Sequence, residues 1–368
     1  MNKVAVVGYG NTKFSNEDKP IESLLTSATK SLFDQTKNIE QDDIEAVLVS
    51  TNDNTKYLSA ILSELTGISP KIAHTVENLC SSGTNSIVSA YSYIVSGLAD
   101  IALVVGADRY DCPGQILEWD VSRGEFKHPV FWASVFTKAH KREFKTTQED
   151  LAAVSAKNHT NAKFNPHAYS NKTYSIDDVL QSKFVTDDLH LLDCSKPCSG
   201  ASAVLLASEN MAKKFEQPIW IKGIGQKTTS ASLTKNEDLT TMTSTKIAAK
   251  QAFDMAKIQV NDVDVTELHD AFTICEIMAL EDIGFVKKGN GASYVRELYD
   301  TQDNKINPRG GLIGSGHPLG ATGVAQVVEI TQQLQNKAEK RQIKNANVGL
   351  VHNMSAAATS STVLLLQS

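Results

Sequence analysis

The sequence of 368 residues predicts an α/β protein made of two similar halves, with a subdomain inserted in the first half. Three observations predict this class. Apolar strand-like runs alternate with helix-like stretches, one long central stretch interrupts the alternation, and segments from the middle of the chain recur near its end. Strands that are apolar throughout are buried on both faces, which is typical of a parallel or mixed sheet covered by helices.

The alternation of strands and helices starts at the first residues. Residues 4–7 run into a glycine turn as a buried strand would, and residues 21–33 then repeat apolar side chains at helical spacing. The same patterns predict later elements, which are strands at 44–50, 101–106 and 265–268 and helices at 57–65, 82–98 and 324–334.

The stretch 110–191 breaks this rhythm and is rich in aromatic, histidine and charged side chains. The residues that mark it are Trp119, His128, Phe131, Trp132 and His140. This composition predicts an inserted subdomain. The chain would then divide into a first half at 1–215, which contains the insert, and a second half at 216–368.

Two pairs of segments carry the internal repeat. DCSKPCSGASAVLL, from Asp193, parallels NMSAAATSSTVLLL, from Asn353, and both have the pattern of a turn followed by a closing strand. NLCSSGTN, from Asn78, and GSGHPLGATG, from Gly314, are each a loop of small residues at the start of a helix. Two such copies packed around two central helices would form five layers. The repeat therefore predicts a site where the copies meet.

Composition narrows the class of protein. The formal net charge of −6 provides no basic excess, so neither nucleic acid nor an anionic membrane is expected as a partner. The five cysteines are odd in number and lack paired metal-ligand spacing, as is usual in a reducing cytosol, and no metal site is expected. The first apolar run is too short for a signal-peptide core or a membrane span, so we expect a cytoplasmic protein.

Cys80 is the first candidate for chemistry, because it lies in a turn of small residues just before a predicted helix. Unpaired backbone amides and the helix dipole at such a position stabilise a thiolate. The position suits a nucleophile. The alternative is a buried structural thiol, since free cysteine is among the most buried residue types.

Two histidines are candidates for acid–base work. His317 lies in the loop GGLIGSGHPLGATG, whose glycines let the backbone approach a ligand, and a histidine there can deprotonate a nearby thiol. His269 follows a short predicted strand at its carboxyl end, where open sheets place ligands. The alternatives are a connecting glycine-rich turn for His317 and a capping or core histidine for His269.

Four ordered motifs resemble those of sterol-carrier-protein-type and archaeal thiolases. They are NLCSSG around Cys80, HDAFTICE from His269, GHPLGATG from Gly316 and VGLVHN from Val348. The inserted stretch is similar to the same group in EDLAAVSAKNH, NPHA and LLDCS. Because the motifs cover most of the chain, the sequence is identified as a member of the thiolase superfamily.

The resemblance implies a fold and an assembly. The fold would be the thiolase fold, an α/β architecture of two βαβαβαββ halves in a five-layer α-β-α-β-α arrangement with an inserted loop subdomain. The protein would form a homodimer or a dimer of dimers, and relatives of this kind associate with a small zinc-binding OB-fold protein. Substrates would be coenzyme A thioesters, with no permanently bound cofactor.

The resemblance also implies roles for the candidate residues. Cys80 would accept the acyl group, His317 would take the thiol proton, and His269 would stabilise the enolate of the second acyl group. Backbone amides around Cys80 and the C-terminal loop would form a second oxyanion site. We also expect thioester contacts in the glycine loop and the C-terminal loop, at Gly314, Gly316 and Ser355.

Two departures from the family pattern affect the second acid/base. Ala271 stands where the HDCF form of the motif has a cysteine, and His352 falls where the C-terminal loop of the family has its cysteine. We expect His352 to carry that proton instead, because an imidazole has a suitable pKa. Ser355, Ala356 and Ala358 replace glycines of that loop, and their Cβ atoms are expected to narrow it or to oppose a positive φ.

The leading functional hypothesis is an acyl-CoA thiolase or acetyl-CoA C-acetyltransferase, which condenses acyl groups or cleaves a 3-ketoacyl-CoA. One alternative is a condensing enzyme similar to hydroxymethylglutaryl-CoA or ketoacyl synthases. Another is a thiolase-like subunit that binds acyl-CoA without full Claisen chemistry. Cys275, one turn after Ala271, is a less suitable acid/base, and Cys194 and Cys198 are interpreted as structural.

Overall fold

A computed structural model describes residues 3–112, 116 and 124–368 of the chain. Trp119 of the predicted insert lies outside these residues. Among the described residues, no helix is long and apolar enough to cross a membrane. The strands are β1 (Val4–Asn11), β2 (Ala46–Ser50), β3 (Ile72–Val76), β4 (Ile101–Asp108), β5 (Phe184–Thr186), β6 (Leu189–His190), β7 (Gly200–Ser208), β8 (Ile219–Thr228), β9 (Val265–Glu267), β10 (Val348–Ser355) and β11 (Ser360–Gln367).

The helices have the following bounds. They are α1 (Ile21–Gln35), α2 (Leu58–Thr66), α3 (Ser82–Val95), α4 (Pro129–Phe144), α5 (Gln148–Ala162), α6 (Ile176–Gln181), α7 (Glu209–Ala212), α8 (Thr243–Ala256), α9 (Thr273–Ile283), α10 (Gly291–Thr301), α11 (Gly311–Ser315) and α12 (Leu319–Leu334). The predicted helix at 324–334 therefore begins five residues earlier, directly after His317 and Pro318.

Nine of the strands form a mixed sheet in the order β3-β2-β4-β7-β1-β8-β11-β10-β9. Three apolar clusters divide it into layers. One joins α1 and α2 to the outer face of β2, β4, β7 and β1, a second surrounds α3 and α12, and a third joins α8 and α9 to the outer face of β10 and β11. The order of layers is helix, sheet, helix, sheet, helix, which confirms the predicted fold class.

The two halves are joined where β1 meets β8. These strands pair antiparallel over only two residue pairs, Ala5 with Trp220 and Val6 with Ile219. The second half also differs from the first, because the counterpart of β3 is reduced to a single parallel bridge between Thr266 and Ile306. The boundary predicted at residue 215 falls between α7 and β8.

The central layer depends on a close crossing of α3 and α12. A Cβ added to Gly83 of α3 would lie 2.9 Å from the backbone nitrogen of Val324, and one added to Gly323 of α12 would lie 2.6 Å from the backbone nitrogen of Thr84. Such distances are too short for any side chain, so both positions need glycine. The crossing brings the N-terminal ends of these helices together, and the candidate nucleophile and base lie just before them.

The stretch predicted as an insert forms α4, α5 and α6 and the two-stranded sheet of β5 and β6. Its longer helices pack on the second half rather than on their own half: α5 contacts α9, α10 and α11, and α4 contacts α9. The aromatic side chains of α4 take part, since Trp132 meets Phe272 edge to face with ring centroids 5.1 Å apart. The insert therefore closes one side of the region between the halves.

Candidate active site

Cys80 lies in a short 3₁₀ turn, Leu79–Ser81, that leads directly into α3. The preceding residue, Leu79, has φ of +47°, which is costly for a residue with a branched side chain. Its backbone N–H donates to Glu77 Oε1 at 2.7 Å, which helps to hold this conformation. The turn presents the half-buried thiol to a cavity instead of to the core.

Two backbone N–H groups point at the sulfur. They belong to Cys80 itself and to Ala356, which follows β10 in the C-terminal loop. Both lower the thiol pKa, but burial and the nearby Asp108 carboxylate outweigh them and raise the pKa of Cys80 to about 12. The resting group is therefore a thiol, and it needs a base to become a nucleophile.

The C-terminal loop corrects one expectation from the sequence. Ala356 has φ of +49° and Ala358 has φ of +53°, so the side chains that replace glycine do not prevent a left-handed backbone there. The left-handed conformation costs each alanine about 1–2 kcal/mol. This backbone conformation directs the Ala356 N–H at Cys80 Sγ.

His317 presents an unprotonated nitrogen to the cavity. The Thr322 hydroxyl donates its only proton to the Pro318 carbonyl at 2.9 Å, so it must accept the hydrogen bond of 2.7 Å from His317 Nδ1. That leaves the lone pair on Nε2, which is buried and has no hydrogen-bond partner. Burial and the charge of Arg309 lower the pKa of His317 to about 3, so the ring is a neutral base.

His269 has the opposite arrangement. Asn353 Nδ2 lies 2.9 Å from His269 Nδ1 and donates to it, so the proton of the neutral ring is on Nε2. Burial and the neighbouring rings of His317 and His352 hold the pKa of His269 well below its ordinary value. His269 is thus a hydrogen-bond donor to the cavity, and His317 is an acceptor.

The three groups converge. The Cys80 sulfur and one ring nitrogen from each of His269 and His317 all lie within 4.8 Å of one another, and the two rings meet edge to face with centroids 5.2 Å apart. A thiolate and two imidazoles could in principle hold a zinc ion. The proton on His269 Nε2 opposes that, because a protonated nitrogen offers no lone pair.

Two buried carboxylates hold the loops that carry these groups. Asp108, at the end of β4, accepts the backbone N–H of Gly320 in the first turn of α12. Asp270 accepts the backbone N–H of Leu312 at 2.6 Å and so holds the start of α11, which leads to His317. The carboxylate beside His269 in the chain therefore orients the loop of the second histidine.

The cavity beside Cys80 has a volume of about 280 Å³. Its wall is largely apolar and comes from both halves and from the insert: Leu79, Pro129, Val130, Trp132, Val185, Leu191, Pro197, Ala271, Phe272, Leu319 and Ala356. The polar groups in the wall are Cys80, His269 and His317, together with His128, Cys194 and Ser195. Such a pocket fits a small-molecule substrate with an apolar body.

Comparison with known proteins is consistent with this geometry. The model of the thiolase N-terminal domain matches residues 4–111, and the model described as thiolase C-terminal domain-like matches residues 225–368. The acetyl-CoA acetyltransferase of Methanothermobacter thermautotrophicus is 34% identical over 96% of both chains. Sterol carrier protein 2 of Bos taurus is 33% identical over 96% of this chain and 70% of that protein.

The chain belongs to the thiolase family. Among solved structures, an Ltp2-ChsH2(DUF35) aldolase superposes with a TM-score of 0.88 at 20% identity, covering 100% of this chain and 98% of that one. At that identity the likeness shows the fold alone. Family membership and the acetyltransferase relatives together support a thiolase-type acyltransferase.

Within this thiolase, the structure does not bring His352 to the cavity. Neighbouring residues of a strand point to opposite faces, so His352 and Asn353 of β10 diverge. His352 Nε2 lies 3.0 Å from the Thr245 hydroxyl on the outer helix α8, whereas Asn353 faces the central layer and His269. The residue of this motif that reaches His269 is the next one, Asn353.

The three residues expected to contact the thioester are also absent from the cavity wall. A Cβ on Gly314 would lie 2.5 Å from the carbonyl oxygen of Asn158, and one on Gly316 would lie 2.7 Å from the sulfur of Cys198. Their glycines therefore allow close packing of the loop. Ser355 is buried at the end of β10, and the residue of this loop that lines the cavity is the next one, Ala356.

Sequence reasoning found Cys80, His269 and His317 but missed the residues that set their protonation. Thr322 and Asn353 fix the two ring tautomers. Thr322 lies five residues after His317 in the same glycine-rich motif, in the first turn of α12, and this closeness in sequence could have indicated it. Asn353 could not have been paired with His269, since the contact crosses 84 residues of sequence.

Proposed function

We propose that the protein is an acyl-CoA thiolase that forms an acyl thioester on Cys80 and makes or breaks a carbon–carbon bond of a 3-ketoacyl-CoA. The observation that carries the proposal is that the Cys80 sulfur and one ring nitrogen from each of His317 and His269 lie within 4.8 Å of one another. With the tautomers assigned above, the three residues supply the nucleophile, the base and the hydrogen-bond donor that acyl transfer requires.

In the cleavage direction of the reaction, each group has a separate role. His317 Nε2 takes the Cys80 proton as the sulfur attacks the 3-keto carbonyl, and the backbone N–H groups of Cys80 and Ala356 stabilise the oxyanion. The carbon–carbon bond then breaks and leaves the acyl group on the sulfur. The departing enolate oxygen accepts a hydrogen bond from His269 Nε2.

The enolate carbon also needs a proton, and coenzyme A must lose one before it attacks the Cys80 thioester. Beyond the three convergent groups, the titratable side chains in the cavity wall of the described part of the chain are His128 and Cys194. Burial raises the pKa of Cys194 to about 12, so it rests as a thiol and can act as the acid in this direction. Ala271 presents only a methyl group to the same wall.

Ala271 also supports a second candidate function, because its methyl group can neither donate nor accept a proton. If neither His128 nor Cys194 delivers the proton, the protein is a thiolase-like subunit that binds acyl-CoA and carries an acyl group on Cys80 without Claisen chemistry. The two candidates predict the same first step and differ only in the second.

Assembly and location are part of the proposal. We infer a homodimer in the cytoplasm, and a small zinc-binding OB-fold partner. The last inference is supported by the structural neighbour, whose Ltp2 chain is combined with a DUF35 protein. Activity should therefore be measured both with the chain alone and with a candidate partner of that kind.

The deciding experiment is the intact mass of the protein after incubation with acetyl-CoA, for the parent and for Cys80→Ala. We expect one acetyl adduct in the parent and none in the variant. The absence of an adduct in the parent would overturn the proposal. Addition of acetoacetyl-CoA and free coenzyme A then tests cleavage, with Cys194→Ala and His128→Gln compared. Acetylation without cleavage, with and without the partner, would favour the acyl-binding subunit.

A further inference from the structure

A line of hydrogen bonds runs from the nucleophile's helix to His269 through Asn353. The Thr84 hydroxyl of α3 lies 3.0 Å from Asn353 Oδ1, and Asn353 Nδ2 lies 2.9 Å from His269 Nδ1. Thr84 and Asn353 are fully buried and His269 nearly so, at 0%, 0% and 1% exposure, so water does not compete for these contacts.

The orientation of the amide follows from the available protons. The Thr84 hydroxyl lies 3.0 Å from Asn353 Oδ1 and 3.1 Å from the Ser81 carbonyl oxygen, which also accepts from Asn85 Nδ2 at 2.8 Å. We assign the hydroxyl proton to Asn353 Oδ1, which is the nearer acceptor and, in the described part of the chain, has no such second donor. With its oxygen engaged, the Asn353 amide can only donate to His269.

We propose that Asn353 is a positioning residue that fixes the proton of His269 on Nε2, and thereby makes this ring the hydrogen-bond donor for the enolate oxygen. The inference rests on the proposed thiolase reaction and concerns only its carbon–carbon step. An imidazole free to exchange tautomers would present a lone pair to the enolate part of the time. A lone pair facing an enolate oxygen repels it, so the tautomer decides whether His269 assists or opposes the reaction.

The change Asn353→Asp reverses the arrangement with almost no change of shape. A carboxylate accepts and does not donate, so it would draw the ring proton to Nδ1 and leave a lone pair on Nε2. Addition of one proton to the pair formed by the introduced carboxylate and His269 restores Nε2–H, whichever partner carries that proton. The variant should therefore regain activity as the pH falls, whereas a residue that merely fills space would not produce such a profile.

Other titrating groups near His269 are common to parent and variant. Cys80 and His317 face it from other elements, and His352 lies on the opposite side of β10. In the parent, Cys80 is a neutral thiol and both of these rings are neutral. Asp270, the next residue, is turned to the backbone of α11, and burial and the nearby Glu276 carboxylate raise its pKa. The ratio of variant to parent rate at each pH cancels these contributions.

The test measures two rates from pH 8 to pH 6, Cys80 acetylation by acetyl-CoA and thiolytic cleavage of acetoacetyl-CoA. For Asn353→Asp we expect acetylation within about threefold of the parent and cleavage lowered about 100-fold at pH 8, the usual loss for one oxyanion donor. The cleavage ratio should recover by up to about tenfold per pH unit on acidification, because one proton is taken up.

Two control variants separate positioning from structure. Asn353→Leu removes the hydrogen bond and should lose cleavage without any recovery at low pH. Gln326→Glu makes the same amide-to-carboxylate change at another buried position beside β10, where Nε2 donates to the His352 carbonyl. Any effect there on stability alters acetylation and cleavage together, so cleavage relative to acetylation should not change with pH in this variant. A cleavage ratio for Asn353→Asp that is flat across pH, or equal to one, would overturn the inference. Absence of acetylation in the parent would instead remove the proposed function.

Discussion

In this site the imidazole group has two opposite roles, hydrogen-bond donor and acceptor, and single neighbouring residues decide which role each ring has. His269 and His317 are both buried imidazoles with lowered pKa values, yet one donates and the other accepts. The difference comes from the second ring nitrogen, which meets an amide donor in Asn353 and a hydroxyl acceptor in Thr322. Burial keeps both rings neutral, and the partners then choose the tautomer.

Removal of the base should slow acylation specifically. His317→Ala is expected to lower the rate of Cys80 acetylation by about 10²- to 10⁴-fold, the usual contribution of a positioned general base, because the thiol with its raised pKa then has no acceptor for its proton. The rate of appearance of the acetyl adduct by mass spectrometry measures this. Acetylation at the parental rate would show that another group takes the proton.

At the scale of elements, the site exists because α3 and α12 cross closely. Gly83 and Gly323 allow backbone to meet backbone, and the loops that precede the helices, with Cys80 and His317, are brought together as a result. Asp108 fixes the start of α12 from the end of β4. The geometry of the nucleophile and base is therefore a consequence of helix packing.

The close crossing of α3 and α12 can be tested by adding one methyl group at Gly83. Gly83→Ala would place a Cβ 2.9 Å from the backbone nitrogen of Val324, which cannot move without shifting α12. We expect the free energy of unfolding to fall by about 1–3 kcal/mol, as for other overpacked cores, and Cys80 acetylation to slow. Ser92→Ala, at an exposed position of the same helix, serves as the control in denaturant unfolding. Equal midpoints for the two variants would contradict the close crossing.

At the scale of the whole molecule, buried titratable groups link stability to pH. His352 is fully buried, and burial lowers its pKa to about 3 from an ordinary 6.5. Between pH 6.5 and about pH 3, the unfolded chain thus binds a proton at His352 that the folded protein does not. The contribution of neutral His352 to the free energy of unfolding is complete above pH 6.5 and is lost as the pH falls towards 3, by about 1.4 kcal/mol per pH unit.

His352→Leu should therefore flatten the acid side of the stability curve. Comparison of the free energy of unfolding at pH 7 and pH 5 for parent and variant measures the change, with Thr245 left bonded to Ser361. Because His352 lies outside the cavity wall, Cys80 acetylation and cleavage should survive. Loss of cleavage alone would instead restore the role of second acid/base that its place in the sequence predicted.

Much of the fold could be predicted from local patterns. The apolar runs of β1, β2 and β4 and the helices α1 and α2 were placed to within a few residues, because burial on both faces and helical spacing leave clear signals. β3 was not predicted. Its residues alternate between half-buried and exposed at the edge of the sheet, so its sequence carries no apolar run. The β1–β8 junction was also missed, since two residue pairs leave no signature.

Local sequence was enough to establish the family, the layered α/β class and the three reacting side chains, because motifs and periodicity are properties of short stretches of chain. The direction in which each side chain points came from tertiary contacts. His352 and Asn353 are neighbours in sequence, yet strand alternation sends one to α8 and the other to His269. The protonation of the site is likewise set by contacts across the fold, since a hydrogen-bond partner that is 84 residues away is chosen by packing and not by any local pattern.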